Sequence, residues 1–200
     1  MGNREDLLAG AKRCLLEKGY ARTTARDIAT AAGTSLAAIG YHFGSKEQLL
    51  NAALYDATAE GLGEEFGRAL RAAASGKDAA ERFEATWTHM IDSFPQHRQV
   101  IVAALENLGQ LAHVPELRET FAKAQADAID EFTHRYRQSE HDVGNAPARA
   151  VATLYYLLMN GLIVQWMTDP GGVPSGEDLA LAVRTIASAG QREPASDRAV

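Results

Sequence analysis

The chain holds one cysteine, Cys14, in 200 residues. That excludes a disulfide within the chain and a cysteine-based zinc site built by the chain alone. A small buried thiol in a reducing compartment is the expectation. Aromatic residues are only 7% of the chain, and no useful stretch alternates apolar and polar with period two, so no strand is expected. No apolar run approaches the roughly 18 residues of a membrane span. The opening Met1 to Asp6 leads into an amphipathic stretch, not a signal-peptide core, and the expectation is a soluble, cytoplasmic protein with no membrane partner.

Catalytic signatures are missing as well. The six histidines, at 42, 89, 97, 113, 134 and 141, form no HExxH and no tight ligand spacing, so no metal is expected. The segment Gly61-Leu-Gly63-Glu-Glu-Phe-Gly67 is glycine-rich but is not GxGxxG and follows no strand. Glu64 and Glu65 are adjacent on a predicted helix and read as a solvated face, not a catalytic pair. Nothing marks a nucleophile elbow. The expectation is a protein that is not an enzyme, with no catalytic residues and no cofactor.

What is present is ordinary for a folded chain: 46% hydrophobic and 23% charged residues, rich in alanine, the best helix former. The net charge of −6 is unevenly spread. Residues 1–50 carry seven basic and five acidic side chains, net +2, and the remaining 150 carry −8. A locally positive face can bind phosphate on an acidic chain.

Apolar residues Leu7, Leu8, Ala11, Cys14 and Leu15 recur at helical spacing, predicting a first helix over about 4–18, capped by Asn3 and stopped at Gly19. Thr24-Ala-Arg-Asp27 is a capping signal that opens a two-turn helix ending at Gly33. Ser35 is expected to cap a second short helix, with Leu36, Ile39 and Phe43 as candidate inward positions, stopped by Gly44. Ser45-Lys-Glu-Gln48 starts a longer one. After residue 75 longer amphipathic runs follow, broken at Pro95, before Pro115, at Gly144-Asn145 and at 169–176. The fold class predicted is all-α, about nine helices: residues 1–45 an N-terminal three-helix unit, residues 46–190 a larger helical domain beginning with a connecting helix over 46–74, and residues 191–200 a tail expected to be disordered.

Residues 24–43 have the layout of a helix-turn-helix, in which one helix crosses the DNA backbone and the next enters the major groove. Ala29 is small where two helices cross, Gly33 sits at the sharp turn, and Ile28 and Ile39 are apolar where the helices meet. An ordinary helical hairpin fits the same spacing. The stretch Ala21-Arg-Thr-Thr-Ala-Arg-Asp-Ile-Ala-Thr-Ala-Ala-Gly-Thr-Ser35, followed by Tyr41-His-Phe-Gly-Ser-Lys-Glu-Gln-Leu-Leu50, resembles the N-terminal domain of TetR-family transcriptional regulators from about Leu7 to Ala57. The remainder is similar to that family's ligand-binding and dimerisation domain in length and texture only.

The resemblance implies a homodimeric DNA-binding regulator, usually a repressor, that reads a palindromic double-stranded DNA operator and is released by a small-molecule effector. Carried over by position, Thr24 and Lys46 match phosphate contacts and Arg26 a base or phosphate contact. Thr34, Ser35, Leu36, Ala37 and Ala38 match the exposed start of the recognition helix, and Tyr41 and His42 its end. Hydroxyls and helix N-termini suit phosphate oxygens. The reading face lacks Asn, Gln and Arg, so apolar contacts with thymine methyls, Arg26 and DNA shape would carry specificity. His42 fits packing beside Phe43 as well as a phosphate contact. Where the family usually has an aromatic, two residues before the histidine, this chain has Gly40, and Tyr41 is the candidate substitute.

In the larger domain, Trp87, Met90, Phe94, Leu105, Leu108, Phe121, Tyr155, Met159 and Trp166 are either core or the lining of a pocket for an apolar or aromatic effector. His89, Asn107, His113, Asn160 and Gln165 are its candidate polar handles. The run 148–167 is apolar over more than one face, as for a helix buried on two sides. Ala148, Ala152, Tyr156 and Ile163 are candidate contacts with a second copy, completed by the last helix. The reading that competes with a DNA-binding regulator is a helical small-molecule-binding protein or enzyme whose helix-turn-helix is structural only.

Overall fold

The computed structural model describes residues 3–76, 78–109, 116–140 and 143–190. Among them there is no strand. The expected His113, the break before Pro115 and the tail 191–200 lie outside the described residues. The N-terminal unit comprises α1 (Asn3–Lys18), α2 (Ala25–Ala32) and α3 (Leu36–Phe43). Then come α4 (Lys46–Thr58), a π-helical turn (Ala59–Gly63) and α5 (Glu64–Ala73), which run on as one rod. The larger domain continues with α6 (Ala79–Ser93), a 3-10 turn at Phe94–His97, α7 (Arg98–Gly109), α8 (Glu116–Ser139), α9 (Asn145–Thr168) and α10 (Gly176–Gly190). Counting α4 and α5 as one rod, the described residues hold nine helical rods.

Local chemistry sets the helix ends. Thr24 and Asp27 form a reciprocal capping box on α2, and Gly33 ends that helix at φ 64°. Ser45 Oγ accepts from Gln48 N–H at the start of α4, and Asp78 accepts from the Ala80 and Glu81 N–H groups at the start of α6. Pro95 follows the end of α6, as a residue without an N–H should. Ser35 departs from expectation. It sits at the N-cap of α3 with extended backbone, but its side chain makes no capping bond.

Two apolar cores result. The N-terminal core gathers Leu7, Ala11, Leu15 and Tyr20 with Ile28, Ile39, Leu49, Leu50 and Leu54. The first half of α4 therefore packs in this unit. The crossing of α1 and α2 is close enough that a Cβ on Gly10 would lie 3.0 Å from the Ala32 Cβ. The second core lies among α5, α6, α8 and α9, around Phe66, Phe83, Trp87, Met90, Phe132 and Tyr155. Phe66 stacks on Phe132 with centroids 4.1 Å apart, tying α5 to α8. The helix α7 belongs to both cores: Ile101 enters the second and Ala103 the first.

The 24-residue α9 is long and apolar enough by composition to cross a membrane, against the expectation that no segment would be. Its two faces explain the composition. Ala148, Ala152, Tyr155, Met159, Leu162 and Ile163 are buried in the chain's own core. Leu154, Leu157 and Val164 lie on the opposite side and are exposed. This corrects the expected interface residues. Ala148, Ala152 and Ile163 are sealed inside the chain, where the small alanines let α8 come close, and Tyr156 is half-buried against the same core. Ala148, Ala152 and Ile163 are therefore not available to a second copy, while Tyr156 keeps part of its surface exposed.

Candidate nucleic-acid interface

The turn between α2 and α3 is built from short-range bonds. Gly33 N–H reaches the Thr30 carbonyl and Thr34 N–H the Ala29 carbonyl, satisfying carbonyls at the end of α2. At the other end of α2, the Asp27 carboxylate accepts from Thr24 N–H at 2.9 Å, Thr24 Oγ1 at 2.6 Å and Lys18 Nζ at 2.5 Å. Lys18 first, then the Thr24 hydroxyl and amide, hold its carboxyl well below the usual carboxylate range. The Thr24 hydroxyl is thus engaged in the cap although the residue is exposed. Arg26, the second residue of α2, is exposed.

The helix α3 turns Ile39 inward and leaves Leu36, Ala37, Gly40 and Tyr41 on one exposed face. Leu36 is 49% and Tyr41 86% exposed. An aromatic side chain so bare, on an eight-residue helix, presents both a ring and a hydroxyl to whatever approaches. His42 is half-buried, with its ring edge-on to Tyr41 at 4.9 Å. Ala38 leans into the N-terminal core. Ser35 is exposed, so its hydroxyl can donate outward. The Thr34 hydroxyl is buried and has no hydrogen-bond partner. Of the positions singled out from sequence, Thr24, Arg26, Ser35, Leu36, Ala37 and Tyr41 are exposed. Thr34, Ala38, His42 and Lys46 are partly covered. A Cβ on Gly40 would meet open space, so nothing in the packing requires glycine there.

Lys46, at the first position of α4, donates to the Thr23 carbonyl at 3.3 Å and lies 3.4 Å from Glu47. It ties α4 to the turn before α2. Thr23, buried and not singled out from sequence, donates its hydroxyl within reach of both the Cys14 and Gly19 carbonyls. Next to it, Tyr20 joins the N-terminal unit to α7 through Asn51 and Asn107. Asn107, expected as a polar handle for an effector, lies at this junction instead.

The candidate effector-lining residues divide. Trp87, Met90 and Phe94 are fully buried, and Tyr155 and Met159 nearly so, all in the second core. Leu105 and Trp166 pack against it, with Trp166 edge-on to Phe94 at 6.0 Å. Leu108 is exposed and Phe121 is half-buried outside that core. The Trp87 Nε1–H is buried without a partner. Among the polar candidates, Asn160 is exposed and donates to the Tyr156 carbonyl, and Gln165 borders an open apolar groove between α9 and the start of α10. His89 Nε2 lies 2.5 Å from Glu65 Oε1. Glu65 corrects the solvated-face reading: it is 5% exposed, bonded to Arg68 and within reach of His89 and His97. Glu64, its neighbour, does face solvent and pairs with Arg135. Two histidines 24 and 32 residues away could not be assigned to Glu65 from sequence.

Comparison with known proteins places both parts of the chain. Residues 7–53 match the model of bacterial regulatory proteins of the tetR family. Residues 79–191 match the C-terminal domain of BetI-type transcriptional repressors. The chain is 45% identical over 49 residues to the HTH-type transcriptional repressor AcnR of Corynebacterium efficiens, covering 24% of this chain and 26% of that protein. It is 47% identical over 47 residues to AcnR of Corynebacterium glutamicum, covering 24% of this chain and 25% of that protein. The match thus spans about a quarter of the length of these relatives. A transcriptional regulator from Streptomyces coelicolor shares the fold at TM-score 0.64 and 24% identity, over 96% of this chain and all of that one. The multidrug-binding protein EbrR, solved with imidazole, does so at TM-score 0.63 and 21% identity, over 96% of this chain and 97% of that one. With the C-terminal match alone spanning more than half of its length, the chain belongs to the TetR family of bacterial regulatory proteins, with a C-terminal domain of the BetI type.

Proposed function

We propose that this protein is a cytoplasmic, ligand-responsive transcriptional repressor, not an enzyme, that binds a palindromic operator in double-stranded DNA as a homodimer. The observation that carries the reading is the exposed face of α3. Leu36, Ala37 and Tyr41 stand clear of the fold, flanked by Arg26 and by Ser35 with its hydroxyl uncommitted to capping. Leu36 and Ala37 suit thymine methyls, and Arg26, Ser35 and the Tyr41 hydroxyl suit phosphates. Lys46 adds positive charge near the start of α4, and Thr24 sits at the start of α2, where the helix dipole favours an anion. The name of the AcnR relatives, whose likeness is confined to this reading head, supports repression.

The second copy would cover the apolar residues that α9 and α10 leave bare. Leu154, Leu157 and Val164 on α9 and Leu181, Val183 and Ile186 on α10 are exposed, and Ile186 is 74% so. Exposed apolar surface of this extent is a mark of an interface. The effector would enter the second core beside Trp87, whose unpartnered indole N–H offers a donor in an otherwise apolar and aromatic surround. An apolar or aromatic molecule carrying a hydrogen-bond acceptor fits that chemistry.

Selection of bound sequences from a random duplex pool at about 0.15 M salt tests the reading, because phosphate contacts make affinity steeply salt-dependent. Enrichment of a palindrome is the expected result. A folded, dimeric protein that enriches nothing would favour a small-molecule-binding protein with a structural helix-turn-helix.

A further inference from the structure

The reading head meets the larger domain at a small polar joint. Tyr20 follows the end of α1, Asn51 lies on α4 and Asn107 near the end of α7. The Tyr20 hydroxyl donates to Asn51 Oδ1 at 2.8 Å, and Asn107 Nδ2 donates to the same oxygen at 3.2 Å. Tyr20 and Asn107 are buried. Beside them Glu106 Oε2 accepts from Tyr20 N–H at 3.0 Å. That carboxylate lies against the Gly19 turn, where φ is 85° and a Cβ would stand 3.1 Å from Glu106 Oε2. Apolar contacts between helices can slide, whereas hydrogen bonds converging on one oxygen fix direction as well as distance.

We propose that Tyr20, Asn51 and Asn107, with Glu106 on the adjoining turn, fix the angle of the reading head against the larger domain and thereby select the spacing between operator half-sites. The inference rests on the dimeric operator-binding reading above. In a dimer joined through α9 and α10, the separation and rotation of the two α3 helices depend on how rigidly each head is held. Adding one base pair between half-sites rotates one of them by about 35° about the duplex axis. A stiff joint penalises that change and a loose one absorbs it. The three side chains come from three separate elements, so the joint is specific to this arrangement of the domains. Burial, with the Glu47 charge adding, pushes the Tyr20 phenol up to about 12. Asn107 Oδ1 is buried without a partner. A hydrophobic residue would have avoided that cost, so stability alone does not account for an amide at this position.

The test uses the full chain and the operator it selects from a random duplex pool, with the half-site spacing then lengthened or shortened by one base pair. Glu106→Ala, at an exposed position of α7, removes the acceptor of the Tyr20 N–H across the joint. Asn107→Ala removes the donor that reaches Asn51 from α7. In either variant the wild-type preference for the optimal spacing should fall roughly two- to tenfold, the range of one net hydrogen bond. Affinity for an isolated half-site should stay unchanged. The double variant should lose less than the product of the two. If Asn107→Ala does not fold, Glu106→Ala alone decides the matter. Spacing preference equal to wild type, or an equal loss on every duplex including the half-site, overturns the proposal. If the wild-type chain enriches no operator at all, the function proposed above fails, and the spacing role fails with it.

Discussion

His89 Nε2 and Glu65 Oε1 stand 2.5 Å apart across α6 and α5, on a carboxylate that the fold has almost wholly removed from water. Arg68 first, then His89 and His97, lower the Glu65 carboxyl to about 2 against the opposing effect of burial. The folded-state value is depressed below the ordinary 4.5, so its stabilisation is present above pH 4.5 and lost as the pH falls towards 2. Glu65→Gln should destabilise the chain by about 1–3 kcal/mol at pH 7 in urea unfolding. The gap between variant and wild type should close between pH 4.5 and 2. A gap constant through that window would show that the carboxylate charge is not what the cluster uses.

Gly40 lies inside α3 with open space where a Cβ would go. Gly40→Ala should therefore stabilise the protein by about 0.5–1 kcal/mol, since it removes backbone freedom from the unfolded chain and meets no neighbour. Thermal unfolding of the two proteins side by side checks this. A lower midpoint for the alanine variant would mean that the position needs glycine for a reason other than packing.

Tyr41 is 86% exposed, and the proposed function has its hydroxyl donate to a phosphate. Tyr41→Phe should weaken binding about 25-fold, one hydrogen bond of about 1 kcal/mol lost in each half of the dimer, and equally on the selected operator and on random duplex. Titration of both DNAs at one salt concentration gives the answer. A changed base preference with intact non-specific affinity would move Tyr41 from positioning to reading.

Leu157 is 58% exposed on the bare face of α9. Leu157→Glu should turn the proposed dimer into monomers at micromolar concentration with helix content unchanged, because an apolar interface does not tolerate an unpaired buried charge. Sedimentation velocity, with circular dichroism as the control for folding, measures it. A variant that remains dimeric places the contact elsewhere.

Much of the reading head was legible because its signals are local. A capping box spans four residues, and Gly33 and Gly44 act where they stand, at φ 64° and 79°. Ser35 shows the limit even there. The residue type at the N-cap was right, yet its hydroxyl makes no capping bond. The larger domain was legible as amphipathic helices, but not in the way they face one another. Periodicity marks a stripe without naming its partner.

By itself the sequence determined an all-α chain, the ends of the N-terminal helices, the helix-turn-helix and the family, since each of these is set by neighbours within a few residues or by residue order. Tertiary structure alone decided which side of α9 is sealed, and so turned Ala148, Ala152 and Ile163 from candidate interface into core. It also decided that Glu65 is buried and that Asn107 meets Tyr20 through Asn51. The physical reason is the same in each case: burial and pairing depend on residues brought together from 24 to 87 positions apart, as Glu65 with His89 and Tyr20 with Asn107 are, and spacing along the chain carries no record of that approach.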